Sequence, residues 1–277
     1  MKIGIIGQGF VGSAIREGLK NYYEILTFDL DESKSNSTHE TVCKESEIIF
    51  VCVPTPMRKN GECDTRILES AIDKLRQECR NSGSYPTVVI KSTVPPGTTT
   101  KIYNKGHLDI CFSPEFLTEA NSFEDFKNQT RIIIGGQGAR KVKQMFRRPF
   151  PKTPIIVTKA ETAEMVKYFT NCFLATKVTF ANQMYDICEA SKIDYDKVCE
   201  YVLYDQRIGK SHLAVPGPDG DRGFGGHCFP KDLAGMINFS EEKDVDNMFL
   251  ASVEIYNNEI RTNKDWEKMK GRAVSDD

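Results

Sequence analysis

The 277-residue chain is long enough for one large or two ordinary domains, and 39% apolar with 27% charged residues excludes a disordered or fibrous chain. A formal net charge of −2 gives no general attraction to nucleic acid, and no apolar run approaches the length of a membrane span. The nine cysteines are scattered, with no Cys-x-x-Cys pair, which argues against a zinc site and for a reducing, cytoplasmic setting. The locally basic run from Arg140 to Lys152 reads as a solvated helix face. The chain opens directly on a strand, so no signal peptide is expected.

Lys2 to Ile6 is an apolar strand. It leads into Gly7-Gln8-Gly9-Phe10-Val11-Gly12 and a helical pattern through Leu19. A second strand, Ile25 to Phe28, ends in Asp29. A strand, a Gly-x-Gly-x-x-Gly turn, a helix and a strand ending in an acid form the dinucleotide-binding arrangement. The first glycine permits the tight turn. The second lets the backbone approach a pyrophosphate, and the third lets helix and strand pack closely. Asp29 stands where an acid would bond ribose hydroxyls and would repel a 2′-phosphate, so NAD is expected over NADP.

Asp31 to Ser46 is polar and predicts a short helix at most. A buried strand over Glu47 to Val53 ends at Pro54-Thr55-Pro56, where two prolines stiffen the loop. A helix over Asp64 to Arg80 and a strand over Thr87 to Lys91 follow, the latter running into Ser92-Thr93. Thr55 and Thr93 thus fall at strand C-terminal ends, where ligands bind in such sheets, although ordinary turn chemistry explains either alone. Another strand, Asp109 to Phe112, precedes Ser113-Pro114-Glu115-Phe116-Leu117-Thr118-Glu119. If that turn is helical, Glu115 and Glu119 share a face. A strand at Ile132 to Ile134, a helix at Ala139 to Arg147 and a strand at Ile155 to Val157 complete an α/β domain over residues 1–157, expected as a doubly wound parallel sheet.

From Thr158 the pattern is helical, giving a second domain over residues 158–277. A long helix over Ala160 to Ser191 could bridge domains or build a dimer. It carries Lys167 and Asn171 four residues apart on one face. Helices are expected at Asp194 to Leu203, Phe229 to Ser240 and Asp246 to Asn263, with a frayed charged tail from Lys264. Between them lie Arg207 and a Gly- and Pro-rich loop ending in Gly223-Phe224-Gly225-Gly226-His227-Cys228-Phe229-Pro230-Lys231-Asp232. Pro230 suits a first helical turn, which would set Cys228 just before a helix N-terminus, with Lys231 adding positive charge. Both favour a thiolate nucleophile. Taken alone, Cys228 is equally well a structural thiol beside a glycine turn.

The Gly-Gly-x-Cys-x-x-Lys-Asp run, the glycine turn near the N-terminus and the Pro-Glu-Phe-Leu-x-Glu stretch together resemble the UDP-glucose dehydrogenase family. The resemblance implies an N-terminal Rossmann domain, a long connecting helix and an all-helical dimerisation domain, without the third, UDP-covering domain usual in that family. It implies NAD at Gly7, Gly9, Phe10, Val11, Gly12 and Asp29, with Thr55 and Thr93 beside the nicotinamide half. Cys228 is then the nucleophile. Lys167, Asn171 and Asp232 polarise the reacting oxygen and position water. Glu115 and Glu119 stand around the sugar, with Phe116, Leu117 and Gly225 as substrate contacts, and Glu119 also handles protons. Arg207 reaches the substrate of a neighbouring subunit in a homodimer. The implied reaction is four-electron oxidation of a nucleotide sugar, UDP-glucose first. A UDP-N-acetylhexosamine, GDP-mannose or a 3-hydroxy acid are alternative substrates, and a non-catalytic nucleotide-binding role is a further reading.

Overall fold

The computed structural model describes residues 1–275. The chain forms two compact units, one of residues 1–55 with 64–167 and one of residues 56–63 with 168–277.

The first unit is built on a seven-stranded sheet. In chain order it contains β1 (Lys2–Ile6), α1 (Phe10–Leu19), β2 (Glu24–Phe28), α2 (His39–Glu45), β3 (Ile48–Val51), α3 (Arg66–Ser82), β4 (Thr87–Ile90), α4 (Thr98–Tyr103), β5 (Ile110–Phe112), α5 (Ser122–Lys127), β6 (Ile132–Gly136), α6 (Ala139–Arg147) and β7 (Ile155–Thr158). The strand order is β2-β1-β3-β4-β5-β6-β7. Strands β3, β4 and β5 are buried along their whole length, as near-continuous Ile, Val and Phe runs require in a sheet covered on both faces. One apolar cluster, including Ile5, Phe50, Ile134 and Phe146, packs on one set of side chains; a second, including Ile49, Leu75, Val88 and Phe112, packs on the alternate set.

The α/β expectation holds with one correction. β6 runs antiparallel to β5, pairing Cys111 with Gly136, whereas the other neighbours are parallel. A buried strand shows the same apolar run in either direction, so periodicity cannot report this. The expected helical turn at Glu115 is also absent: residues 113–118 form neither helix nor strand. There the Glu115 carboxylate accepts from the Leu117 N–H at 2.7 Å, a local bond that competes with a helical turn. Two short helices, α4 and α5, were not evident from the pattern. Glu164 caps the first of them, accepting from the N–H groups of Gly97 at 2.7 Å and Thr99 at 2.8 Å.

A 31-residue helix, α7 (Ala160–Ala190), starts in the first unit and continues into the second. The second unit adds α8 (Tyr195–Val202), α9 (Phe229–Glu241) and α10 (Met248–Ile260). Its core joins Cys172, Ala175 and Val178 to Phe224, Leu233 and Val253. The tail expected to fray is instead folded as far as it is described. Trp266 and Ala273 are buried, and the Met57 backbone pairs with Ala273 and Ser275. Apolar burial and ladder bonds outweigh the charge of this segment. Asp276 and Asp277 lie outside the described residues. No helix among the described residues is long and apolar enough to cross a membrane.

Candidate active site

At the end of β1, Gly7 has φ +90°, and a Cβ there would lie 2.6 Å from the Cys52 carbonyl oxygen. A Cβ on Gly12 would collide with the Gly7 carbonyl oxygen, so α1 approaches the strand as closely as backbone allows. A Cβ on Gly9 would meet no atom within 4 Å, which leaves a cradle open to a ligand. Gly9 is also the N-cap of α1 and has no side chain to satisfy the first-turn N–H groups, which Phe10 and Val11 begin. Asp29 accepts from the Gln8 N–H at 2.5 Å and the Asp31 N–H at 2.9 Å, so its carboxylate is fixed at the end of β2. These features fit a dinucleotide, with pyrophosphate at the α1 N-terminus and ribose at Asp29.

Further along the same sheet edge, the Thr55 hydroxyl donates to the Thr93 carbonyl at 2.7 Å, and both residues are buried. Glu115 and Lys167 form a buried pair: Lys167 Nζ donates at 2.8 Å to Glu115 Oε1 and at 2.8 Å to the Glu115 carbonyl. Burial opposes the Glu115 charge, but Lys167 and the Leu117 N–H hold its carboxyl below the ordinary value. The half-buried Phe116 ring stacks under the Arg131 guanidinium, 4.1 Å from the ring centre. Glu119 is exposed and does not share a helical face with Glu115.

In the second unit Cys228 is the N-cap of α9, with Pro230 in the first turn, the placement expected from sequence. Asp232 is 1% exposed. It receives the Asn171 amide at 2.6 Å on one carboxylate oxygen and the Lys231 ammonium at 2.5 Å on the other. Burial depresses Lys231, but the charge of Asp232 more than offsets it, and the ammonium is held above its usual range. Asn171 and Asp232 are thus brought together across 61 residues of chain. Arg207 is not brought in: its guanidinium is held by Asp205 and is 89% exposed.

The turn before Cys228 is clamped by residues with no motif. Asn257 exchanges two bonds with the Phe224 backbone, at 2.7 and 3.0 Å. Asp265 accepts from the Gly226 N–H at 3.1 Å, and Gly225 packs where a Cβ would meet Arg261 and Asp265. Nothing local in the sequence marks these partners, because each lies more than 30 positions away.

A model of the UDP-glucose/GDP-mannose dehydrogenase family NAD-binding domain matches residues 33–148, and a model of the same family's central domain matches residues 161–259. The YtcA protein of Bacillus subtilis is 32% identical over 296 residues, covering 93% of this chain and 67% of the relative. The chain belongs to the UDP-glucose/GDP-mannose dehydrogenase family. A UDP-glucose 6-dehydrogenase of Rickettsia conorii is 34% identical over 257 residues, and the match takes in 90% of this chain and 56% of that enzyme. The structure of a UDP-glucose dehydrogenase from Pyrobaculum islandicum superposes with a TM-score of 0.84 at 27% identity, over 93% of this chain and 68% of the other. The chain therefore spans between about half and two thirds of these family members. The model of the family's NAD-binding domain matches most of the sheet unit, and NAD is the cofactor.

Proposed function

We propose that this chain carries the catalytic residues of a nucleotide-sugar 6-dehydrogenase that converts UDP-glucose to UDP-glucuronate. The observation that carries the reading is the buried arrangement of Asn171, from α7, with Lys231 and Asp232 on the first turn of the helix whose N-cap is Cys228. Lys167 and Asn171 are the donors that stabilise negative charge on the sugar oxygen. NAD supplies a two-electron acceptor, used twice per sugar. An aldehyde cannot be oxidised by hydride loss until a nucleophile has added, which is the chemical need for a thiol. Cys228 Sγ bonds the aldehyde carbon, giving a thiohemiacetal, and after the second oxidation holds the acyl group as a thioester. A water oriented by Asp232 then adds to that carbon and the C–S bond breaks; one water proton ends on the sulfur as thiol and the other is released with the carboxylate. Thr93 and Glu119 are assigned to this reaction on the family resemblance, Glu119 for proton handling.

A cytoplasmic homodimer is part of the reading. Phe169, Phe173 and Phe180 on α7 and Phe249 on α10 are each 60% exposed or more, an apolar aromatic face that suits a second copy. Arg207, exposed on the same unit, would reach a partner's substrate.

The test is the NADH released per UDP-glucose, read by absorbance with excess NAD. Two per sugar supports the reading. One points to a single-oxidation relative such as a 3-hydroxy-acid dehydrogenase, or to arrest at the thiohemiacetal. None, with NAD bound, moves the assignment to GDP-mannose or a UDP-N-acetylhexosamine, and then to a non-catalytic nucleotide-binding protein.

A further inference from the structure

A second buried lysine stands behind the Glu115–Lys167 pair. Lys91 follows β4 directly, and its backbone N–H donates to the Val51 carbonyl at 2.9 Å, so it is rooted in the sheet. Its side chain runs inward, 6% of the residue being exposed. Lys91 Nζ lies 3.1 Å from the Pro114 carbonyl and 3.5 Å from Ser113 Oγ, the two residues that lead into Glu115. The titratable groups facing it are Glu115, Lys167 and the thiols Cys52 and Cys111. Burial pushes Cys52 up to about 12 and Cys111 further, so both thiols stay neutral and supply no counter-charge. Two ammonium groups therefore face one carboxylate. Burial accordingly draws Lys91 down to about 8. A buried cation is costly to keep, and an apolar side chain of the same length would pack here at lower cost.

We propose that Lys91 is a positioning residue for the dehydrogenase reaction. Anchored on the sheet, it holds the Ser113–Glu115 turn through the Pro114 carbonyl and so fixes where Glu115 presents Lys167 to the sugar oxygen. This rests on the proposed function, in which Lys167 and Glu115 meet the substrate.

The experiment compares the parent with Lys91→Met and Lys91→Gln. Three quantities are measured: kcat with UDP-glucose, NADH affinity by fluorescence, and the titration midpoint of Glu115 by carboxyl 13C NMR, assigned with Glu115→Gln. In Lys91→Met, kcat should fall about tenfold or more with NADH affinity unchanged, and the Glu115 midpoint should rise because a neighbouring positive charge is gone. Lys91→Gln keeps a donor without the charge, so it should recover part of kcat while leaving the Glu115 midpoint raised. If Lys91→Met does not fold, Lys91→Gln decides on the same readouts. A parental kcat in Lys91→Met, an unmoved Glu115 midpoint, or a proportional loss of kcat, NADH affinity and melting temperature overturns the proposal. A parent protein that oxidises no nucleotide sugar overturns the proposed function instead, and the Glu115 midpoint alone then decides whether Lys91 governs Glu115.

Discussion

Glu115 and Lys167 are single residues whose meaning depends on burial. In sequence each is an ordinary charge; in the fold they are an ion pair sealed from water. Removing one partner of such a pair strands the other and costs about 3 kcal/mol or more. Glu115→Gln should therefore lower stability by about that amount at neutral pH. The pH dependence follows from the depressed Glu115 value. The contribution is fully present above the ordinary carboxyl value of 4.5 and is lost as pH falls through the folded value. The melting-temperature gap between parent and Glu115→Gln should shrink in acid, and a gap constant down to the acid limit would refute the pairing. Cys228→Ser tests the nucleophile. Serine fits the same N-cap, so the protein should fold and bind NAD, yet it should fail to release the second NADH at the parent rate. Asn171→Ala removes an oxyanion donor and should lower kcat by about a hundredfold. Equal kcat in that variant would exclude Asn171 from the reaction.

Elements were legible where local pattern and local chemistry agree. The β1–turn–α1–β2 unit satisfies both, since Gly7 needs its positive φ and Gly12 needs its missing Cβ. Gly12→Ala would drive a methyl group into backbone, and NADH binding measured by fluorescence should be lost or weakened severely; unchanged affinity would contradict the geometry. The segment after β5 is the opposite case. Two glutamates four apart suggest a helical face, but Glu115 turns inward to bond Leu117 and Lys167, and no helix forms there. The turn ahead of Cys228 is legible in its motif, while its clamp is not. Asp265→Ala should loosen that turn. It should change the alkylation rate of Cys228, followed by peptide mass analysis, more than it changes NADH affinity, because the clamp lies wholly in the helical unit.

For the whole molecule, the exposed aromatic face on α7 and α10 is the feature that a lone globular chain would not be expected to leave in water. Phe180→Asp places a charge on this face without touching a core cluster. Light scattering should report a dimer for the parent and a monomer for this variant. A parent that is monomeric at all concentrations would remove the homodimer from the proposal. The same scale holds the folded C-terminal segment. Residues 273–275 pair with Met57, and Arg261, 4% exposed, bonds Asp219 at 2.6 Å. A charged stretch read alone looks frayed, and only its distant partners show otherwise.

The sequence by itself determined the α/β unit, the dinucleotide turn, the helical second half and the thiol at a helix start. Each of these is a matter of period, φ preference and neighbours a few positions apart. Only the tertiary structure decided the direction of β6, the assignment of residues 56–63 to the helical unit, the burial of Lys91 and the partners of Glu115, Asp232 and Gly226. Those partners lie 52, 61 and 39 positions away. Whether a charge is solvated or buried depends on which distant side chains close over it, and no local pattern carries that information.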